Sequence, residues 1–383
     1  MKLRKILVIL LSILPLSGCW DTNEPERMVY VYGMGIDYKD GDYIAYLQII
    51  NLGLLAKNEV VGSSSEVKVE VGHAKGKTVD EAVFNLYRST QRRIFWGHLS
   101  FLIFSEDAMK HGGIMSVVDI LDRYRETSYR IWVYVTKDPL SRIFKNIPML
   151  GMSTGYSKIS DPTAAYEQFS LIEPVDFRQL LIWIHEPGHE ANVPLISVNN
   201  NNWLTNVKRH DSISMDGVAV VTKDNIKGYF TGKSVKGLMW MSNEMKRGGV
   251  TVKYKDSTID MLVTDAKAKI KPVIKGEEIQ FDINVKANAV VDHIVKPIPL
   301  STLSSLIEKE LKKEILYTYE QALAKDIDIY HLSETAYRKN VKAWKKVQHG
   351  GKIPLKKDTI RQLKVKISLN HGGKQRELPT LEK

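Results

Sequence analysis

The hydrophobic pattern of the chain alternates between short β-rich runs and helical stripes. Met28 to Ile36 is an apolar run in which Gly33 and Gly35 mark a bulge or a close backbone approach. Lys39-Asp40-Gly41-Asp42 is a hairpin turn signal, and Tyr43 to Ile50 is the returning strand. Glu66 to His73 alternates as a third strand after a polar loop at 62–65. Thr78-Val79-Asp80-Glu81 is a capping box, and the helix behind it places Val79, Ala82, Val83, Leu86 and Thr90 on one face. Leu99 to Phe104 has the continuous apolar character of a buried strand. Ser105 opens a helix closed by Gly112-Gly113, and a second helix runs from Ile114 to Leu121. Tyr129 to Thr136 reads as a strand, and Lys137-Asp138-Pro139 starts another helix. Asp176 caps a helix carrying Phe177, Leu180, Leu181 and Ile184.

The second half restarts with strands. Ile213 to Val221 and Lys227 to Thr231 form a hairpin about the turn Lys223-Asp224-Asn225. Ser234 to Lys246 is helical and ends at Gly248-Gly249. Val250 to Lys255, Met261 to Val273 and Ile279 to Val291 are long alternating strands, which predict an antiparallel sheet with one covered face. Ser301 to Lys325 is the clearest helix, with a stripe of Leu303, Leu306, Ile307, Leu311, Ile315 and Tyr319. A further helix over Ser333 to Val347 and a closing strand over Leu363 to Leu369 complete the pattern, and the tail from His371 reads as frayed.

The fold class is therefore α+β (mixed α/β), with two to three domains, each a β-sheet flanked by helices. Residues 28–205 form an N-terminal α/β region, with a subdomain boundary near the Gly-, Ser- and Thr-rich loop at 150–162. The Asn run at 199–202 and the residues up to Ser212 read as a linker, and 212–375 form a C-terminal domain of antiparallel sheet plus helices.

The first twenty residues set the compartment. Lys2, Arg4 and Lys5 precede an apolar stretch from Ile6 to Leu14 that is too short to span a bilayer about 30 Å thick. Leu16-Ser17-Gly18-Cys19 then matches a lipobox. Residues 1–18 are read as a lipoprotein signal peptide cleaved between Gly18 and Cys19, and residues 19–27 as a short polar linker. The Cys19 thiol is the nucleophile that takes the lipid, a diacylglyceryl group with palmitate-type chains. This places the mature protein on the extracytoplasmic side of the cell membrane. Cys19 is the one cysteine of the chain, so neither a disulfide nor a Cys-based zinc or redox site is available.

The formal net charge is +11, of which Lys2, Arg4 and Lys5 account for three. The lysines are scattered along the sequence without interleaved aromatics, so nucleic acid is not the expected partner. They read as solubility charge, with attraction to an anionic membrane as the other reading.

His185-Glu186-Pro187-Gly188-His189 spells the zinc protease pattern H-E-x-x-H. That chemistry needs both histidines one turn apart on a continuous helix. Pro187 and Gly188 break such a helix, so the segment reads as a helix end running into a turn. His98, in Trp96-Gly97-His98, reads as a structural histidine. There is no phosphate-binding Gly loop, nucleophile elbow or paired-carboxylate constellation. The expectation is no catalytic, cofactor or metal site, and a protein that is not an enzyme.

The chain resembles the Ger(x)C family, the lipoprotein C subunits of GerA-type spore germination receptors. The likeness begins at Cys19-Trp20-Asp21 and continues through Tyr32-Gly33-Met34-Gly35-Ile36-Asp37 and Gly76-Lys77-Thr78-Val79-Asp80-Glu81-Ala82. Phe95-Trp96-Gly97-His98-Leu99, Glu186-Pro187-Gly188, Gly217-Val218-Ala219-Val220, Lys223 to Gly228 and Gly237-Leu238-Met239-Trp240 extend it in order. Tyr30-Val31-Tyr32 and Met34 are bulkier than the family's usual residues there. The resemblance implies a non-catalytic subunit beside A-type and B-type membrane subunits in the inner membrane of the spore. The alternative from another class is a solute-binding lipoprotein that hands a small ligand to a transporter. It would need two similar lobes about one cleft.

The lipobox generates a direct expectation. Cys19→Ala should leave an unprocessed or soluble product, measured by membrane fractionation and by the mass of the product. Two acyl chains on one Cys give stable anchoring.

Overall fold

The structure is a computed structural model that describes residues 27–50, 69–146, 148, 155, 157–206, 208–223, 225–276, 278–291 and 298–371. Gly18 and Cys19, the polar loop at 62–65 and most of the loop at 150–156 lie outside the described residues.

β1 (Met28–Lys39) and β2 (Asp42–Ile50) form the expected hairpin. Asp40 and Gly41 both take positive φ, 55° and 84°, as a two-residue turn between twisted strands requires. The two glycines of β1 have separate reasons. A Cβ on Gly33 would lie 2.2 Å from the Phe101 ring, and one on Gly35 2.5 Å from the Phe144 ring. A bulge between Val31 and Gly33 accompanies this close approach.

β3 (Val69–Gly76) pairs with β2, and α1 (Val79–Tyr87) packs back on both. The Thr78 hydroxyl accepts from Glu81 N at 3.1 Å, while the Glu81 carboxylate accepts from Lys77 N at 2.6 Å. The cap therefore closes one residue earlier on its return side than a standard capping box. β4 (Arg93–Phe95) and β5 (Phe101–Ser105) run parallel to β1. α2 (Glu106–Lys110) and α3 (Gly113–Arg123) follow, with Gly113 opening the second helix rather than closing the first. β6 (Trp132–Thr136), α4 (Leu140–Phe144), α5 (Pro162–Gln168) and α6 (Phe177–His185) lead to β7 (Ala191–Asn199), which adds parallel to β6.

β8 (Ser212–Val221) and β9 (Ile226–Thr231) then complete a nine-stranded sheet in the order β3-β2-β1-β5-β6-β7-β8-β9, with β4 beside β1. One reading of the sequence changes here. The stretch from the Asn run to Ser212 is the loop of the β7–β8 hairpin. The hairpin at 212–231 belongs to the first sheet, although it was expected to open the second domain. The physical reason is β7, which the pattern hid. Pro194 lies within it next to a bulge at Leu195 and Ile196, and a proline inside a run masks a strand.

A 3₁₀ turn (Gly232–Val235) and α7 (Lys236–Met241) connect to the second sheet. That helix ends at Met241, shorter than the sequence pattern implied. β10 (Gly248–Tyr254), β11 (Ser257–Lys275) and β12 (Glu278–Val291) are antiparallel as expected. α8 (Leu300–Leu323), α9 (Leu332–Lys339) and α10 (Val341–Val347) follow. Asn340 separates the last two, because its non-helical backbone ends α9 and its side chain accepts from Ala343 N to start α10. β13 (Ile360–His371) joins β12 in parallel. The chain has crossed the covered face through the helices before returning, and such a crossover gives a parallel neighbour.

Leu303, Ile307, Leu311 and Ile315 on α8 are fully buried, and Tyr319 nearly so. The core they build continues into Val218, Val220 and Phe230 of the first sheet. Ala219 and Val221, alternating with them on β8, lie in the core beneath α1, α3 and α6. α7 is clamped to α8. Gly237 N donates to Thr318 Oγ1 at 3.0 Å, and Trp240 Nε1 donates to Glu314 Oε2 at 2.6 Å. A Cβ on Gly237 would lie 2.3 Å from the Tyr330 hydroxyl. Among the described residues no helix is long and apolar enough to cross a membrane.

Leu311→Ala should cost about 2–5 kcal/mol of unfolding free energy in a urea titration, because the site is sealed on all sides.

Candidate functional site

The sequence that spelled a protease motif builds the junction between the two sheets. α6 starts at Asp176, whose carboxylate accepts from Gln179 N at 2.7 Å. It ends at His185, as the following Pro-Gly pair requires: Glu186 is extended and Gly188 has φ 76°. His185 Nδ1 bonds the Leu181 carbonyl of its own helix at 2.8 Å. His189 lies beyond the turn, with Nδ1 donating to Glu334 Oε2 at 2.6 Å. The two histidines therefore serve different elements. Among the described residues no group of three or more His, Cys, Asp or Glu is placed to hold a metal.

The Glu-Pro-Gly turn sits directly on the start of α9. A Cβ on Gly188 would lie 2.6 Å from Ser333 Oγ. The Ser333 hydroxyl is itself engaged, accepting from Trp344 Nε1 and Ile353 N at 3.1 Å each. Glu186 pairs with Arg338 at 3.0 Å, Arg338 pairs with Glu334 at 2.8 Å, and Glu334 returns to His189. The His189 ring stacks on His331 at 4.0 Å between centroids and on Trp183 at 5.1 Å. Burial pushes the Glu334 carboxyl up, but His189 and Arg338 outweigh it and hold the group below its usual range. Burial, and then the charge of His189, drives His331 well below the ordinary histidine range.

A second set of polar groups lies beside the first. Glu190 is buried, with Oε2 accepting from Asp328 N at 2.5 Å and Oε1 3.4 Å from Lys352 Nζ. Lys227 of β9 stands 3.7 Å from the same oxygen. Asp328 is buried and accepts from Leu332 N at 2.9 Å and Ser333 N at 2.6 Å, so it satisfies the first free amides of α9. Asn192 of β7 donates to the Ile329 carbonyl at 3.0 Å. The bonds of Glu190 to Asp328 N and of Asn192 to the Ile329 carbonyl join the α6–β7 corner to the segment between α8 and α9. Their chemistry is that of a latch. Carboxylates meet backbone amides, and each buried charge has a counter-charge or two donors. None of the groups is set up as a nucleophile with an adjacent base.

The other residues singled out in the sequence are structural. Trp96 is fully buried and donates to the Tyr87 hydroxyl at 3.1 Å. His98 packs edge-on to Tyr30 at 5.2 Å. Glu190, Asp328, Glu334, Arg338 and Lys352 were not visible as functional residues. The only local hint was Asp328 placed before the helix start at Leu332.

Comparison with known proteins agrees with this architecture. The model of the spore germination protein N-terminal domain matches residues 21–198. The model of the spore germination B3/GerAC-like C-terminal domain matches residues 216–373. The chain belongs to this spore germination protein family. The second match begins inside β8, the strand whose two faces serve the two cores. Spore germination protein KC of Bacillus subtilis (strain 168) is 25% identical over 364 residues, covering 89% of this chain and 88% of that protein. Spore germination protein B3 of the same organism is 22% identical over 325 residues, covering 81% and 82%. The crystal structure of the GerBC protein has a TM-score of 0.52 at 18% identity, over 88% of this chain and 96% of that one, so the fold is shared.

Asp328 generates a pH prediction. Burial pushes its carboxyl up to about 7, against the pull of the Ser333 and Leu332 amides. The folded state then holds this proton more tightly than the unfolded chain. The stability Asp328 contributes is full below about pH 4 and is lost as pH rises through about 7. Glu334 acts in the opposite direction, but it is present in both proteins of a comparison. The thermal midpoint of wild type minus that of Asp328→Asn should therefore fall between pH 4 and pH 7. A flat difference across that range would contradict the assignment.

Proposed function

We propose that the chain is the lipid-anchored, non-catalytic C subunit of a spore nutrient germinant receptor. It would stabilise or couple the A-type and B-type membrane subunits from the outer face of the inner spore membrane. The observation that carries this reading is the family match in both halves of the chain, in order. The latch supports it, since the polar groups that gather between the sheets are engaged in joining them. The lipobox at Leu16 to Cys19 supplies the tether. The solute-binding alternative calls for two similar lobes, whereas these sheets have nine and four strands in unrelated orders.

A deletion strain should lose the response to that receptor's nutrients and keep germination by routes that bypass the receptors. Complementation with the lipidated form should restore the response, and the Cys19→Ala form should restore less. Co-purification from spore membranes should bring down the A-type and B-type subunits. Normal germination of the deletion strain with every nutrient, in a background lacking paralogous receptors, would remove the claim. A defect confined to uptake of one solute would favour the alternative.

A further inference from the structure

The lysines that look scattered in the sequence converge on the outward face of the second sheet. The register sets Lys267 of β11 opposite Lys286 of β12, and Lys286 opposite Lys366 of β13. Two residues along each strand, Lys269 stands opposite Asn284, and Asn284 opposite Lys364. Lys271 extends the row on β11. All six lysines are exposed, whereas the alternating Ala266, Val285, Ala287 and Val365 are buried in the core shared with α8.

Like charges directly opposite one another destabilise a sheet. The fold alone therefore gives no reason for Lys267, Lys286 and Lys366 to stand in one rank. Neutralisation from within is partial. Asp282 on this face pairs with Arg361 at 2.8 Å and also feels the charges of Lys271 and Lys364, so one carboxylate stands against several cations, while Asp265 accepts from Asn288 at 2.8 Å. Lys267 donates to the Asn243 carbonyl, which leaves its charge in place. Lys269, Lys286, Lys364 and Lys366 have no carboxylate at ion-pair distance among the described residues.

The composition of the face selects the partner. Protein interfaces are poor in Lys and centred on aromatic or Arg anchors. Single-stranded nucleic acid needs aromatic platforms. The outward positions of β11, β12 and β13 hold no aromatic residue. A layer of ammonium groups on an open sheet face needs only a layer of negative charge, and a bilayer of anionic phospholipid supplies one. We propose that the lysine face of the second sheet docks on an anionic phospholipid bilayer and holds the C-terminal half against the membrane.

The physiological setting of this proposal rests on the membrane location in the receptor reading. Its test does not, because vesicle binding requires neither partner subunits nor a germination phenotype. The chain from residue 19 onward, which contains every described residue, is prepared with Cys19→Ser so that no lipid can be attached. It is sedimented with vesicles of phosphatidylcholine alone, or of phosphatidylcholine mixed with phosphatidylglycerol. Binding is expected only to the mixed vesicles and should weaken with salt. The variant K269Q/K286Q/K364Q/K366Q should lose that binding by about tenfold or more. The matching arginine variant should retain it. The variant K309Q/K312Q/K342Q/K345Q removes equal charge from α8 and α10 and should also retain it. The thermal midpoint of the glutamine face variant should hold or rise, because opposed like charges have been relieved. Equal loss in both glutamine variants would reduce the effect to net charge and overturn the proposal. So would binding that ignores phosphatidylglycerol, or a loss of binding accompanied by a fall in thermal midpoint.

Discussion

Strand β8 sends alternate side chains into two different cores. Val218 and Val220 meet the helices and sheet of the second half, while Ala219 and Val221 meet the helices of the first. A strand has a side-chain period of two, so a slip of one residue would exchange the two sets. The valines of one core would then have to fit the space made for Ala219 in the other. The register against β7 and β9 is thus fixed from both sides, and the two halves are joined by packing rather than by a flexible link. The continuous apolar run at 218–221 is the sequence trace of this arrangement.

Given that join, the polar latch has a physical logic. The α6–β7 corner and the segment between α8 and α9 approach so closely that only a glycine fits at 188. Bare helix amides and charged side chains are enclosed there, and each would be costly without a partner. Asp328 meets the amides of α9, and Glu190 meets the amide of Asp328 and the ammonium of Lys352. Networks of this kind are weak evidence for net stability, since hydrophobic replacements can do as well. Their contribution here is orientation. They fix how α9 sits on the first half, and α9 in turn contacts β11.

Much of the local structure was legible in the sequence. The Asp40-Gly41 turn, the Thr78 cap, the Asp176 cap and the stripe of α8 depend on neighbours within a few residues, and each appears where the pattern put it. The break at Pro187 was legible for the same reason. What failed was non-local. β7 was hidden by Pro194, so the continuation of the first sheet into the 212–231 hairpin was not legible. The parallel addition of β13 depends on the path of the helices before it. The latch was beyond reach, because His189 and Glu334 are 145 residues apart and Glu190 and Asp328 are 138 apart. No periodicity reports a pairing of that span. The lysine rank is of the same kind, since Lys267, Lys286 and Lys366 meet only through strand register.

The late return of β13 also has a consequence for the order of folding. β12 is complete at residue 291, yet its second neighbour begins at residue 360. In the interval α8 must wait over a three-stranded sheet whose open edge is β12, a strand carrying Phe281, Ile283 and Val285. Contacts of such sequence separation form slowly, and an unpaired apolar edge invites pairing with other chains. For a chain delivered from its N-terminus, the first sheet can close long before the second, and the exposed edge is the stage most open to misassembly.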